Sequence, residues 1–310
     1  MILRRRDFLA ALSVIALPAH SLSAHQTSSN GTQLFLLGTA GGPRPRRARS
    51  GSAQAIVSGG KIYVIDCGDG AARQLVLAGL RLKDIRHIFI THHHSDHNID
   101  FGTLVHLALL SGLTSTLDCS GPPPTEQMLR SYFEYQGYDL AVRMADEGRA
   151  DINSLVRAHD IREAGPVWRD ESVSVTAARV PHPPIETAFA YRFDAADRSI
   201  VISGDTLESD ALVRLAKGAD VLVHEAMLAE RVREMLRTLP NNEKLVRSVL
   251  GHHTTAEQAG RVAAKAGVKL LVLSHLVPAE DPDIPDEEWI EQARHHYDGP
   301  VIVGRDLMKI

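Results

Sequence analysis

Within Thr91-His92-His93-His94-Ser95-Asp96-His97, the residues His92, His94, Asp96 and His97 form an H-x-H-x-D-H array. So many nitrogen and carboxylate donors on one short turn point to half of a two-metal hydrolytic site. In extended backbone alternate side chains point the same way, so His92 and His94 can share one ion. Asp96 and His97 follow the turn and can reach a second ion about 3.5–4 Å away. A solvated histidine-rich loop is the plain alternative, and His93 is surplus to the array. Against it, the array follows a strand-like segment, Arg86-His87-Ile88-Phe89-Ile90-Thr91, as a metal loop should.

One array gives too few ligands for two ions, so other parts of the chain must supply more. Three donors stand at the ends of apolar strand-like runs: His182 after Val173 to Val180, Asp205 after Ser199 to Gly204, and His275 after Lys269 to Ser274. Strand tips lie on one rim of a sheet sandwich, where loops from distant parts of a chain converge. Singly, His182 reads equally as a turn residue before Pro183-Pro184, Asp205 as a helix N-cap and His275 as a strand end. Their occurrence together, in this order after the array, favours one shared site.

That order resembles the metallo-β-lactamase superfamily from about Gln33 to the C-terminus. The resemblance implies an α/β fold, a four-layer αβ/βα sandwich, holding two zinc ions. It places His92, His94 and His182 on the first ion, Asp96, His97 and His275 on the second, and Asp205 between them. A bridging carboxylate offsets part of the repulsion between two cations, and a water they share becomes hydroxide near neutral pH. That hydroxide is the expected nucleophile, with Asp96 orienting its proton. Nitrogen-rich donors favour zinc, although manganese or iron can occupy such a site.

Finer motifs resemble the branch that contains ribonuclease Z and the zinc-dependent arylsulfatases. They are Val180-Pro181-His182, Ala190-Tyr191-Arg192-Phe193, Ser203-Gly204-Asp205-Thr206, Val221-Leu222-Val223-His224-Glu225-Ala226, and Gly251-His252-His253-Thr254-Thr255-Ala256 through Leu273-Ser274-His275-Leu276-Val277-Pro278. By this resemblance His224 takes the position of the histidine that supports the transition state or protonates the leaving oxygen. Glu225, next to it, would keep the ring protonated. An ordinary ion pair after a buried strand is the bland reading of the same two residues.

Two features depart from transfer-RNA processing. Only Pro183 to Gly204 separates His182 from Asp205, where ribonuclease Z carries a long basic arm. The chain is also slightly acidic, with formal charge −4 and pI near 6.5, so no global field favours a polyanion. No stable nucleic-acid partner is expected. The basic run Pro43-Arg44-Pro45-Arg46-Arg47-Ala48-Arg49 is either a solvated loop or a lip that steers a small anionic ester toward the metals.

The N-terminus bears on location. Arg5-Arg6-Asp7-Phe8-Leu9 fits a twin-arginine signal, and the apolar stretch from Leu9 to Ala19 is too short to span a bilayer comfortably. Residues 1–24 are therefore expected to be a cleaved leader read by the twin-arginine export machinery. Residues 25–310 then form one hydrolase domain, periplasmic or secreted, with no membrane attachment after cleavage. At 44% hydrophobic and 23% charged, the remainder can bury one large two-sheet core. Cys67 and Cys119 could pair in an oxidising compartment, but Cys67 reads better as a buried residue at a strand end. Helices are expected over Ala71 to Ala78 and Phe101 to Leu110, with another starting at Thr125 as its cap. Tyr138 to Ala164 is charged and poorly patterned, and reads as an insertion near the site mouth. A homodimer is expected from the resemblance alone, since no apolar helix face in the sequence establishes one.

The expected chemistry is hydrolysis of a phosphodiester or a sulfate ester. A secreted β-lactamase is the first rival, and Asp205 opposes it, because typical zinc β-lactamases lack the bridging carboxylate. A thioesterase is disfavoured by Val180-Pro181-His182, which does not match the Gly-His-Thr context of that group. A metal-binding protein without catalysis is disfavoured by the complete ligand set.

Overall fold

Short apolar runs between glycine turns become strands, and each half of the chain builds one sheet. The computed structural model describes residues 31–149, 151–237, 239–279 and 284–310, and the expected leader lies outside them. The N-terminal half supplies β1 (Gln33–Gly38), β2 (Ala53–Ser58), β3 (Lys61–Ile65), β4 (Ile85–Phe89), β5 (Leu117–Gly121) and β6 (Val156–Asp160). The C-terminal half supplies β7 (Gly165–Arg169), β8 (Val173–His182), β9 (Ile185–Ala195), β10 (Ser199–Ile202), β11 (Val221–Met227), β12 (Leu271–Val277) and β13 (Val301–Val303). The chain then returns to the first sheet as β14 (Met308–Lys309). The strand orders are β14-β1-β2-β3-β4-β5-β6 and β13-β12-β11-β10-β9-β8-β7.

Each sheet joins an antiparallel part to a parallel part. β3 to β6 run parallel to one another, as do β10 to β13. Parallel neighbours need crossovers, and most of these are helical. The first half carries α1 (Ala71–Leu77), α2 (Ser95–Asn98), α3 (Phe101–Leu110), α4 (Thr125–Tyr135), α5 (Gly137–Glu147) and α6 (Ile152–Leu155). The second carries α7 (Asp210–Leu215), α8 (Ala229–Leu236), α9 (Asn242–His252), α10 (Ala256–Ala266) and α11 (Asp286–Arg294).

Side-chain alternation on the strands builds the three largest cores among the described residues, and these define four layers. Leu36, Ile56 and Phe89 meet Tyr191, Val223 and Val272 between the sheets. Leu37, Val64 and Leu104 pack beneath the first helices, and Leu222, Leu271 and Trp289 beneath the second. This is the αβ/βα sandwich that the motif order implied.

Three local expectations change. The segment from Tyr138 to Ala164 holds α5, α6 and β6, and β6 pairs in parallel with β5 as a true sheet edge. The alternation of Val156, Ala158 and Asp160 with the exposed Arg157 and His159 is a period-2 strand signal hidden by its charges. Thr125 is the first residue of α4 and not its cap; its hydroxyl donates to the Pro122 carbonyl at 2.7 Å. Cys67 and Cys119 are both free and buried.

Candidate metal centre

The strands deliver all seven expected donors to one rim. The loop after β4 carries His92 and His94 and enters α2 with Asp96 and His97, while β8, the turn after β10, and β12 bring His182, Asp205 and His275. Packing holds this turn in place. A Cβ on Gly68 would come 2.3 Å from the Asp96 carbonyl, so only glycine allows that approach. Gly204, just before Asp205, has φ of +59° and packs against Thr91, where a larger residue would be strained.

Three overlapping donor groups form among the described residues, and two of them gather the seven expected donors; the third joins Asp205 and His275 to Glu225 and His253. His92 Nε2 and His182 Nε2 lie 3.0 and 3.1 Å from His94 Nδ1, with Asp205 Oδ2 at 3.8 Å from the first two nitrogens. On the other side Asp205 Oδ1 stands 3.2 Å from His97 Nε2 and 3.3 Å from His275 Nε2, and Asp96 Oδ2 lies 3.2 Å from His275 Nε2. One oxygen of Asp205 thus faces each group. The Gly42 N–H donates to Asp96 Oδ2 at 3.0 Å, steadying that carboxylate.

These groups fit divalent ions. In each, the ligand atoms lie within 4.8 Å of one another. Tetrahedral bonds of about 2.0–2.2 Å would separate ligand atoms by roughly 3.3–3.6 Å, close to the spacings seen. His97 Nε2 and Asp205 Oδ1 are buried and close, yet neither has a hydrogen-bond partner, as expected of two atoms aimed at a shared ion. Burial pushes His92 and His94 below the usual histidine range and His182 down to about 4, so these rings are neutral and offer lone pairs. Burial also opposes charge on His97, but Asp205, Asp66 and Asp96 outweigh it and push its pKa up.

Partners behind the donors orient them. Asp66 accepts from the Thr91 N–H at 2.8 Å and the Thr91 hydroxyl at 2.9 Å, and binds His97 Nδ1 at 2.7 Å. This leaves His97 Nε2 for the ion. His182 Nδ1 donates to the His252 carbonyl at 2.9 Å, and His93 donates to the Pro122 carbonyl at 2.7 Å. His93 thus ties down the array and stands outside the donor groups.

Known proteins resemble this chain in sequence and in fold. A family model for the Beta-lactamase superfamily domain matches residues 62–276. Ribonuclease Z of Mycobacterium avium (strain 104) is 32% identical over 283 residues, covering 90% of this chain and 97% of its own length. The chain belongs to the metallo-β-lactamase superfamily, in its ribonuclease Z-like branch. Among solved structures, the metallo-β-lactamase fold protein YhfI from Bacillus subtilis matches with a TM-score of 0.67 at 17% identity, covering 90% of this chain and 98% of that one. The short form of human tRNase Z matches with a TM-score of 0.63 at 22% identity, with the same coverage. As a superfamily member carrying His/Asp clusters, the chain is a metal hydrolase built for divalent ions.

The role expected of His224 needs correction. Adjacent strand residues point to opposite faces, so Glu225 enters the site while His224 turns to the helix side with Leu222 and Ala226. His224 is fully buried, meets only the backbone carbonyl of Glu225, at 2.8 Å, and has its pKa pushed down to about 4 by burial. It cannot be an imidazolium beside the metals. His253 holds that place: its Nδ1 donates to Glu225 Oε2 at 2.7 Å. Burial works against charge on this ring too, but the Glu225, Asp205 and Asp96 carboxylates push its pKa up to about 9.

His224→Leu should therefore leave metal content unchanged and alter ester hydrolysis by less than about threefold, since a volume-conserving apolar replacement suits its core position. Elemental analysis with steady-state kinetics checks this, and a loss of zinc or a selective loss on poor leaving groups would return His224 to the site.

Proposed function

We propose that this chain hydrolyses a small phosphodiester, using two zinc ions and the Glu225–His253 pair. The observation that carries the reading is Asp205 presenting one oxygen to each donor group, beside a buried carboxylate–imidazolium pair. Bound ions would neutralise the non-bridging ester oxygens and activate a water at neutral pH.

The protein's own groups do the rest. Asp205 keeps the two donor groups at a fixed separation, and Asp96, steadied by Gly42, faces the second. With Nδ1 engaged by Glu225, His253 has Nε2–H free to protonate the leaving oxygen as its bond to phosphorus breaks and water oxygen takes its place. The products are a phosphomonoester and an alcohol.

A small substrate is favoured over transfer RNA. β8 turns into β9 through Pro183 and Pro184, and β9 into β10 through three residues, so no arm projects between His182 and Asp205. The ribonuclease Z name of the curated relatives supports phosphodiester over sulfate ester. The test is a hydrolysis panel on zinc-loaded protein, with a bis-aryl phosphodiester, an aryl sulfate, a cephalosporin and a thioester side by side. The highest kcat/KM should fall on the phosphodiester; preferential turnover of another member would replace this reading with the class that member represents.

We further propose export through the twin-arginine route. Replacing both Arg5 and Arg6 by lysine should hold the protein in the cytoplasm, because those receptors read guanidinium geometry and not charge alone. Fractionation that finds the lysine variant still exported would favour a general secretory route.

A further inference from the structure

Between the two sheets the core stops being apolar where it meets the donor cluster. Ser52 and Gln54 from the first sheet, and Ser203, Glu225 and Ser274 from the second, line a cavity with about 10 Å³ for the centre of a water molecule, and share it with Asp66, His97, Asp205 and His275 of the metal centre. Gln54 Oε1 and Ser274 Oγ are buried polar atoms with no protein hydrogen-bond partner. Both residues are deeply enclosed, with 3% and 2% of their surfaces exposed. They stand on β2 and β12, on opposite walls. Gln54 Nε2 approaches Ser52 Oγ at 3.5 Å and leaves Oε1 as the acceptor still to be satisfied.

Leaving a buried polar atom unsatisfied is costly, and proteins relieve it with ordered water where room allows. One water needs roughly 10–15 Å³ of such space and two to four polar partners, which this cavity offers.

We propose that one water molecule binds permanently in this cavity, and that through it Gln54 and Ser274 act as positioning residues for Glu225. The water donates one hydrogen to Gln54 Oε1 and the other to the Glu225 carboxylate, and accepts from the Ser274 hydroxyl. Glu225 already takes the Thr206 N–H on Oε1 and His253 on Oε2. Each carboxylate oxygen has a second lone pair, and the water fills one from the side away from substrate. The Glu225 side chain, and with it the His253 ring, is then held from both sheets. The positioning half of this proposal rests on the reading of His253 as proton donor; the water site does not.

A crystal structure of the full protein should show ordered density about 2.7–3.2 Å from both Gln54 Oε1 and Ser274 Oγ. A dry cavity, or side chains collapsed into it, would overturn the site. Gln54→Met removes the acceptor at similar length, and Ser274→Ala is a smaller change that serves if the first variant fails to fold. Each should lower kcat about 10–100-fold on an ester with a poorly leaving alkoxide. The same variants should stay within about threefold of wild type on a nitrophenyl ester, with metal content unchanged. Equal losses on both esters, or none on either, would overturn the positioning role. Wild-type protein that cleaves neither ester would refute the functional reading instead, and the density would still decide whether the water is there.

Discussion

Asp205→Ala is expected to lose most of the second metal ion and to lower phosphodiester hydrolysis by about 10³-fold or more. Its two oxygens face different donor groups, Oδ2 toward His92 and His182 and Oδ1 toward His97 and His275. Without the carboxylate two dications would confront each other across a few ångströms with no negative charge between them. Each group then keeps three donors, three imidazoles on one side and two imidazoles with Asp96 on the other, and the all-nitrogen group is expected to hold its zinc longer. Elemental analysis beside kcat on a bis-aryl phosphodiester measures both effects. A variant that keeps two ions per chain and its rate would show that Asp205 does not bridge.

His253→Ala should cost about 10²–10⁴ in rate on an ester with a poorly leaving alkoxide and much less on a nitrophenyl ester, whose leaving group needs no proton. The reason is geometric: Nδ1 is committed to Glu225 at 2.7 Å, so Nε2 is the position from which a proton can leave. Metal content should hold, because the seven aspartate and histidine donors of the two groups do not include His253. Equal losses on both esters would assign the ring to charge stabilisation, and loss of zinc would make it a ligand.

The chemistry-bearing residues were the most legible part of the sequence. H-x-H-x-D-H confines four donors to one turn, and apolar runs ending in His182, Asp205 and His275 announce strand tips on a common rim. The helix over Phe101–Leu110 and the short span from Pro183 to Gly204 between His182 and Asp205 were equally plain. What failed was the reading of faces. His224 and Glu225 are neighbours on a strand, and period-2 alternation turns them to opposite faces, so the proton donor proposed above is His253 instead. Its signal was present in His252-His253-Thr254-Thr255 just before the capping box of α10, a segment recognised for its resemblance and given no chemistry. Asp66 was passed over because Asp66-Cys67-Gly68 drew notice only for its cysteine. Its left-handed backbone, φ 62°, and its hold on His97 depend on tertiary placement that no local pattern states. β6 was masked by charge, since an edge strand solvated along one side alternates too weakly to stand out.

Anomalous diffraction at the zinc edge, from crystals of the zinc-loaded protein, bears most directly on the shared two-ion site. Two peaks are expected about 3.5–4 Å apart on either side of Asp205. The first should lie about 2.0–2.1 Å from His92 Nε2, His94 Nδ1 and His182 Nε2, and the second among Asp96, His97 and His275. A single peak at the three-histidine group, with Asp205 turned away from it, would contradict the bridged site.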